Sequence, residues 1–492
     1  MSERAVLTPD TPVEVGGVSL LSPSLTATVT VSVPGELADG TRGSSMRDVV
    51  FEALLAETDV QEQHTVELDS VEHEARGPDA GRGGADFLQL DVRAPIEGVG
   101  QVVLDVGVDG VWTWHFGEDI GDVSEGRGSG IRRYVLPADT GTPATVDPED
   151  AAGNRGILGK LGKRVVKVLL FKVLEIGGAW AAESMVRHWE DAKRPHRLRR
   201  VTPANFGDPL SGVPTLSFDD VRQFDGRRSL LLVHGTASRT DSCFRSMPVD
   251  VMQALADSYE GRVIALDHPT ISYDPVANVQ WLSQQIPPDI KLKLDVISHS
   301  RGGLVNRLLF ERTDLGISAD SFDTGVLVAS PNLGTVLASP LKLGSLMDVL
   351  TNVVGAAPTN PVTDVLEVIL SVVKQLAVGA LGGLAGLASM DPAGVWRNEN
   401  LPDPSAFLPR YRSLGSDFEP LPGASLARIA RDIATDALFS GAGNDLVVPT
   451  GGTDLDQQIT KSLRIMQAVG VDHSGYWADR DATTQIRAWL GA

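Results

Sequence analysis

Cysteine is almost absent from this chain, and positive charge is scarce. The 492 residues include one cysteine, Cys243, so no disulfide can form within the chain and a cysteine-rich metal site is excluded. Lys and Arg number 43 against 64 Asp and Glu, which gives a net charge of −21. Because nucleic-acid binding needs a basic surface, this balance argues against DNA or RNA as the main partner.

Long apolar runs are also missing. The first residues, 1–6, are not followed by an apolar core of the length that a secretory signal requires. No run in the connecting segment reaches the roughly 18 apolar residues of a membrane-spanning helix. We therefore expect a cytoplasmic protein. Its basic residues are mostly arginine, which is typical of GC-rich bacterial genomes.

The N-terminal part, residues 1–150, carries the signature of β-structure. The segment TATVTVSV (26–33) is an alternating run rich in β-branched residues, in which successive side chains would point to opposite faces of a strand. An Asp-Gly pair at 109–110 separates two apolar runs, QVVLDVGV (101–108) and VWTWHF (111–116), which predicts a hairpin. We expect a small β-sandwich or barrel here, and the residues indicate no chemical role for it.

A basic and apolar segment follows. Residues 155–192 fit one long amphipathic helix within a linker at 151–200, because the basic residues recur at helical spacing. Such a helix can pack as a connector between domains, or it can lie on an anionic membrane. The basic residues of the predicted face are Lys160, Lys163, Arg164 and Lys167.

The remaining residues, 201–492, alternate apolar strand-like runs with helix-length segments. This alternation predicts an α/β domain with a mostly parallel sheet and right-handed crossovers. A Gly-rich, apolar stretch at 338–390 interrupts the strand order and predicts an inserted helical cap or lid. The predicted strands are SLLLVHG (229–235), RVIALDH (262–268), KLKLDVIS (291–298), TGVLVAS (324–330) and 411–416, and a helix is predicted at 482–490.

The strand at 291–298 runs into Ser-His-Ser-Arg-Gly-Gly, followed by an amphipathic helical stretch. A serine at the apex of such a strand–turn–helix is held on a strained turn with its hydroxyl exposed, as a nucleophile requires. The usual pattern is G-x-S-x-G, whereas this chain has Ser298 at the first position. We identify Ser300 as the candidate nucleophile.

The chain order of a catalytic triad on such a turn is serine, then acid, then histidine. Of the nine histidines only His473 lies after Ser300, so it is the candidate base. The acid is predicted to be Asp445 in GNDLVVP, where it would orient His473, and Asp417 is the alternative. The oxyanion of a transition state needs two preset N–H donors, which we assign to the backbone of Thr236 and Arg301.

The residues beside these donors are the candidates for contact with the substrate, namely His234, Gly235 and His299. The ring of His234 is expected to brace the oxyanion loop rather than to act as the base. No metal ligands and no cofactor motif accompany this set of residues.

Six segments in this order, LVHGT, LDHPT, ISHSRGG, ASPNLGT, NDLVVP and DHSGYW, resemble the lipase/esterase branch of the α/β-hydrolase superfamily. Bacterial triacylglycerol lipases and GPI-inositol deacylases are similar in pattern. The resemblance covers about residues 228–492. It implies an α/β-hydrolase fold and a serine hydrolase that cleaves lipid or other acyl esters through an acyl-enzyme, without a metal or organic cofactor.

Two other functions fit the same residues. An acyltransferase or amidase would share the acyl-enzyme and differ only in the acceptor or the bond cleaved. A non-catalytic binding or effector protein would keep the fold as a scaffold. Peripheral contact with a membrane is expected through the cap or the basic helix, and the sequence indicates no protein partner.

Overall fold

A computed structural model describes most of the chain, in two compact units. The first unit consists of Met1–Met185, Met347–Leu381 and Ser425–Ala430, and the second of Val186–Leu346, Gly382–Ala424 and Arg431–Ala492. The described residues are 2–33, 58–73, 86–107, 110–120, 130–138, 163–176, 179–180, 184–208, 214–355, 362–381, 383–420, 436, 439–465 and 470–492.

Antiparallel strands build the first unit. Six form a sheet in the order β1-β4-β5-β11-β7-β8 and five form another in the order β2-β3-β6-β10-β9. The strands are β1 Glu3–Leu7, β2 Val13–Val15, β3 Val18–Leu21, β4 Leu25–Ser32, β5 Gln61–His73, β6 Phe87–Arg93, β7 Val99–Val106, β8 Trp112–His115, β9 Glu118–Ile120, β10 Ile131–Pro137 and β11 Arg164–Lys172, with a short pair β12 Glu175–Ile176 and β13 Ala179–Trp180.

The two sheets share one hydrophobic core, to which β4 contributes Leu25 and Val29 and β10 contributes Tyr134 and Leu136. Along β4 every second residue is buried, as the alternating sequence predicts. The β-rich N-terminal prediction is therefore confirmed, as a sandwich of two sheets. The hairpin prediction is also confirmed, because β7 and β8 pair antiparallel.

The helix predicted across 155–192 is wrong for Arg164–Lys172, which forms the inner strand β11. Its β-branched residues pack on a pleated surface, and two of its basic side chains pair with acids on neighbouring strands. Arg164 binds Asp105 and Lys167 binds Glu62, each with a nitrogen–oxygen distance of 2.7 Å. Residues 155–162 lie outside the described residues, and within the described part of 155–192 an α-helix begins at Met185.

The described residues of the insertion at 338–390 include three α-helices, as predicted, but residues 347–381 belong to the first unit. Helix Val362–Ala377 packs against strand β7. Helix Leu343–Gly355 places Asp348 and Asn352 on the free edge of strand β8. Of this insertion, residues 338–346 and 382–390 belong to the second unit.

A seven-stranded sheet forms the centre of the second unit, in the order β14-β16-β15-β17-β18-β19-β20. Strand β14 is antiparallel to β16, and the other pairs are parallel. The strands are β14 Arg197–Arg200, β15 Arg228–Val233, β16 Val263–Asp267, β17 Lys293–His299, β18 Phe322–Val328, β19 Tyr411–Ser416 and β20 Ser462–Ile465.

Both faces of this sheet are covered, which explains the continuous apolar runs in its central strands β15 to β18. Leu231 and Val233 pack on one side, whereas Leu230 and Leu232 pack on the other. Among the described residues the helices are α1 Met185–Lys193, α2 Phe218–Arg222, α3 Thr240–Phe244, α4 Val249–Ser258, α5 Pro275–Gln284, α6 Gly302–Glu311, α7 Leu343–Gly355, α8 Val362–Ala377, α9 Ala385–Ala388, α10 Val395–Asn400, α11 Thr450–Thr453 and α12 Arg480–Leu490.

The predicted α/β architecture of the second unit is confirmed, with strand positions within a few residues of those expected. In the described part of the chain, no helix has the length and apolar character needed to span a bilayer.

Candidate active site

Ser300 lies on the sharp turn between strand β17 and helix α6. Its φ of 53° is in the left-handed region that residues other than glycine rarely adopt. The N–H of Ser300 donates to the carbonyl of Val328 (2.9 Å). A β-carbon at Gly302 would lie 2.5 Å from the carbonyl oxygen of His234, so glycine allows helix α6 to begin this close to strand β15.

Ser298, which occupies the position of the usual first glycine of the motif, is fully buried and its hydroxyl is satisfied. The hydroxyl donates to the carbonyl of Val326 on β18 (3.0 Å) and accepts from the amide Nδ2 of Asn306 on α6 (2.9 Å). The Ser298 hydroxyl, which the usual glycine lacks, therefore joins strands β17 and β18 to helix α6, and the turn geometry is retained.

His473 and Asp445 form a buried hydrogen-bonded pair. The distance from His473 Nδ1 to Asp445 Oδ2 is 2.9 Å, and the backbone N–H of His473 donates to the carbonyl of Asp445 (2.9 Å). His473 follows strand β20, and Asp445 lies in the connection between β19 and β20. A carboxylate at Nδ1 leaves Nε2 of the ring as the proton acceptor, which is the state that a general base requires.

Three further groups hold the Asp445 carboxylate in its charged form. Its Oδ1 accepts from the N–H groups of Val447 (3.1 Å) and Val448 (2.8 Å), and its Oδ2 accepts from the hydroxyl of Tyr476 (2.9 Å). Burial by itself would raise the pKa of Asp445, but His473 and these hydrogen bonds together lower the pKa below its ordinary value.

The alternative acid, Asp417, has a different partner. Its Oδ1 accepts from the N–H of Asn444 (3.2 Å), and burial raises the pKa of Asp417. Of the two candidate acids, Asp445 is therefore the one whose carboxylate is bonded to His473.

The loop after strand β15 comes close to the candidate nucleophile. A β-carbon at Gly235 would lie 2.6 Å from Ser300 Cβ, so glycine is required at this approach. Within the part of the chain that the structure describes, the backbone N–H groups of Thr236 and Arg301 donate to no acceptor. Two uncommitted donors on the segments that flank a serine are what an oxyanion hole needs.

The side chain of Arg301 has a structural role that the sequence did not indicate. The guanidinium is fully buried, and burial lowers its pKa to about 10. Its Nε donates to the carbonyl of Gly386 (3.0 Å), and its Nη2 donates to the carbonyl of Tyr273. Arg301 thus ties the segment at Gly386 and the loop after β16 to the turn that carries Ser300.

Glu190 on helix α1 is a second residue that sequence reasoning missed. Its carboxylate accepts from the N–H groups of Thr270 (2.7 Å), Ile271 (2.9 Å) and Ser272 (2.7 Å), and from the Ser272 hydroxyl (2.5 Å). The carbonyl of Ile271, in the segment that Glu190 holds, accepts from the backbone N–H of Gly386. No local pattern could have revealed Glu190, because its partners lie about 80 residues later in the chain.

The two histidines predicted near the substrate are both buried and act as braces. His299 donates from Nε2 to the carbonyl of His473 (2.8 Å), and burial, followed by the nearby His473, lowers the pKa of His299 to about 3. His234 accepts at Nε2 from the N–H of His268 (3.1 Å), and burial lowers its pKa to about 4.

Asp445 is hydrogen-bonded to the ring of His473. The carbonyl of His473 is in turn hydrogen-bonded to the ring of His299, the residue that precedes Ser300. The described residues contain no group of three or more His, Cys, Asp or Glu side chains arranged to hold a metal ion. The mostly parallel sheet, the serine turn after its central strand, and the later acid and histidine are the elements of an α/β-hydrolase fold.

A family model described as a domain of unknown function, DUF7379, matches residues 193–491. The chain belongs to this family. The DUF7379 region contains all the catalytic candidates named above. A comparison with curated proteins found no match.

Solved structures similar to this chain include two lipases and a lactonase. The mature lipase BlEst2 of Bacillus licheniformis is 14% identical over 58% of this chain and 96% of its own, with a TM-score of 0.35. The enol-lactonase of Burkholderia xenovorans LB400 is 14% identical (54% and 92%, TM-score 0.31), and lipase 1 of Pelosinus fermentans is 13% identical (54% and 98%, TM-score 0.33). The activity of this chain is therefore argued from its own residues.

Proposed function

We propose that the DUF7379 region is a serine hydrolase that cleaves carboxylic esters, with Ser300 as nucleophile, His473 as general base and Asp445 as the orienting acid. One observation carries the proposal. Asp445 binds the ring of His473, and the carbonyl of His473 is held by His299, the residue immediately before Ser300. This arrangement supports a triad assembled from three loops, which follow strands β17, β19 and β20.

In the proposed reaction, Ser300 Oγ attacks the ester carbonyl while His473 Nε2 takes its proton. The N–H groups of Thr236 and Arg301 stabilise the oxyanion that develops. His473 then gives the proton to the leaving alcohol and an acyl-enzyme remains. Water, activated by His473, releases the acid and restores Ser300.

Lipid esters are the substrate class that the surroundings favour. Three apolar residues are exposed on the segment after strand β18, namely Leu333 (40%), Val336 (37%) and Leu341 (95%). Thr335 within this segment donates from its N–H to the carbonyl of Met390 and from its hydroxyl to the carbonyl of Val447. Because Met390 contacts Thr236 and Val447 follows Asp445, these apolar residues border the proposed site and can contact an acyl chain.

The test is labelling of the purified full-length chain with a fluorophosphonate probe, together with hydrolysis of p-nitrophenyl butyrate and p-nitrophenyl palmitate. We expect wild type to be labelled and active, and Ser300→Ala to lose both properties. Ser283→Ala on helix α5 is the matched control and should match wild type. A preference for the palmitate ester would support a lipid substrate.

The opposite result is equally informative. If wild type is neither labelled nor active, even when phospholipid vesicles are present, the hydrolase proposal is rejected and a binding function on this scaffold takes its place. Labelling that persists in Ser300→Ala would reject Ser300 as the nucleophile while leaving the enzyme class intact.

A further inference from the structure

A cavity of about 150 Å³ in the second unit has no part in the mechanism above. It is formed at the carboxyl ends of strands β15 and β16, where helix α1 and strand β14 meet them. This is the edge of a parallel sheet at which ligands bind in open α/β folds. The lining residues are Lys193, Arg194, Pro195, Arg197, His234, Ser238, Arg239, Asp267 and His268.

Positive charge is concentrated in this cavity against the composition of the whole chain. Four of the lining residues are cationic and one is a carboxylate, in a protein whose net charge is −21. Two lining residues form ion pairs with residues outside the lining: Arg239 with Asp241, and Asp267 with Arg199. Because Asp241 is negative and Arg199 is positive, their charges cancel and the excess of positive charge is unchanged. An excess of three positive charges in a concave, partly buried site favours an anion.

Lys193 and Arg197 supply the charge that is available to a ligand. Lys193 is the last residue of helix α1 and is exposed, and Arg197 is half-buried on β14, paired in register with Asp267. Within the described residues neither side chain is engaged in an ion pair or a hydrogen bond. Their fixed positions on a helix end and a strand allow them to approach one anion together.

His268 provides a second, independent sign of a ligand. It is 2% exposed and lines the cavity, and its Nε2 atom has no hydrogen-bond partner in the described structure. Its Nδ1 donates to the carbonyl of Leu266 (3.2 Å), and burial keeps the ring neutral by lowering its pKa. Nε2 is therefore a buried acceptor without a donor, a state that costs free energy unless a bound molecule supplies one.

We propose that this cavity binds an anionic group of the ester substrate, a phosphate or a carboxylate, through Lys193 and Arg197, while a neighbouring hydroxyl or amine of the same substrate donates to His268 Nε2. This assignment rests on the proposed hydrolase function. The connection to the reacting centre runs through His234, which lines the cavity and precedes Gly235, where an added β-carbon would lie 2.6 Å from Ser300 Cβ. The substrate class is thus an acyl ester of an anionic, hydroxylated alcohol.

Direct binding is the first arm of the test. Inorganic phosphate and glycerol 1-phosphate are titrated into the full-length wild type in a calorimeter at low ionic strength. We expect both to bind, the second more tightly because it offers hydroxyl donors. Replacing either cation, in Lys193→Gln or Arg197→Gln, should weaken binding by about 10-fold. Arg227→Gln removes one exposed charge at the opposite edge of the same sheet and should change nothing.

The second arm distinguishes a substrate group from a separate anion that merely regulates the enzyme. Wild type, Arg197→Gln and Arg227→Gln are compared on monobutyrylglycerol and on its phosphorylated counterpart, butyrylglycerol phosphate. We expect Arg197→Gln to lose about 10-fold in kcat/KM on the phosphorylated ester and to match wild type on the neutral ester. Free phosphate should inhibit hydrolysis of the phosphorylated ester more strongly than hydrolysis of the neutral ester.

Each contrary outcome has a distinct meaning. Absence of phosphate binding to wild type, or binding that Arg197→Gln and Arg227→Gln weaken equally, overturns the anion site. Equal effects of Arg197→Gln on both esters overturn its assignment to the substrate. Cation-dependent phosphate binding without hydrolysis of either ester rejects the hydrolase proposal and leaves the anion site standing.

Discussion

At the scale of single residues, the Asp445 carboxylate shows how the site meets the cost of a buried charge. It accepts four hydrogen bonds, from two backbone N–H groups, the Tyr476 hydroxyl and the His473 ring. Burial works against the charge, and these donors outweigh burial, so the carboxylate stays ionised while it orients His473.

Asp445→Asn should lower kcat for ester hydrolysis by about 10³- to 10⁴-fold, because an amide donates toward Nδ1 and forces the wrong tautomer on His473. Steady-state kinetics on a p-nitrophenyl ester, with circular dichroism to check the fold, measures this effect. Asp417→Asn is the matched control and should stay within a few-fold of wild type, since Asn can still accept from the N–H of Asn444. Equal losses in both variants would contradict the assignment of the acid.

At the scale of elements, strands β17 and β18 and helix α6 meet at Ser298 in the serine turn. Ser298→Ala should destabilise the second unit by about 1–3 kcal/mol, because the Val326 carbonyl and the Asn306 amide each lose a buried partner. Activity at 25 °C should fall by less than about three-fold, since the turn itself remains. Urea denaturation and ester kinetics check the two effects separately.

For Ser298, the second variant is Ser298→Gly, which restores the usual motif. It should be no more stable than Ser298→Ala, because glycine adds backbone entropy to the unfolded chain. A Ser298→Gly protein more stable than wild type would show that the hydroxyl contacts are not stabilising.

Helix α7 stabilises the first unit by covering the edge of strand β8. Asn352 accepts from the N–H of Trp112 (3.0 Å) and donates to its carbonyl (2.7 Å), and Asp348 accepts from the N–H of Trp114 (2.7 Å). These side chains replace a neighbouring strand, so the edge cannot pair with another chain. Burial raises the pKa of Asp348 to about 7, because its one backbone donor does not compensate for lost water.

Asp348→Asn should therefore stabilise the first unit at pH 8 and have little effect at pH 4. A carboxyl whose pKa is higher in the folded state holds its proton more tightly there, so stability falls as pH rises from about 4 through about 7. Solvent reaches part of Asp348, so we expect a gain in the free energy of unfolding of about 1–2 kcal/mol, less than the full free energy that corresponds to the rise in pKa. Asn keeps the acceptor for Trp114.

Thermal unfolding at the two pH values measures the Asp348 effect, with Asp69→Asn on strand β5 as the control in the same unit. A larger gain at pH 4 than at pH 8 would contradict the sign of this prediction.

For the whole molecule, the decisive feature is that each unit has its own hydrophobic core. The first unit packs around residues such as Leu136 and Val168, and the second around the two faces of the seven-stranded sheet. Units with separate cores can unfold in separate steps.

Leu136→Ala should lower the stability of the first unit by about 2–5 kcal/mol, because Leu136 is fully buried and its truncation leaves a cavity. Hydrolysis of a short ester should stay unchanged below the melting temperature of that unit. Calorimetry and ester assays on the same samples test both statements. Leu231→Ala, in the core of the second unit, is the contrasting variant and should reduce activity and stability together.

A parallel loss of hydrolysis in Leu136→Ala would show that the two cores are energetically coupled.

The sequence by itself determined the α/β sheet of the second unit and the identity of its candidate catalytic residues. The central strands β15 to β18 contain continuous apolar runs because both faces of the sheet are covered, and this pattern is visible locally. The serine turn is likewise a local signal, and His473 stands out because no other histidine follows Ser300. The order of these elements along the chain left Asp445 and Asp417 as candidate acids, and the hydrogen bond from His473 to Asp445 is seen only in the structure.

Only the tertiary structure decided the contacts between distant segments. Arg164–Lys172 has basic residues at helical spacing, yet it is a strand because Asp105 and Glu62 on neighbouring strands neutralise its cations. Glu190 and Arg301 hold backbone groups about 80 residues away, which no short-range pattern encodes. Likewise, the apolar helix Val362–Ala377 looks like a lid in sequence, and strand β7 determines where it is buried.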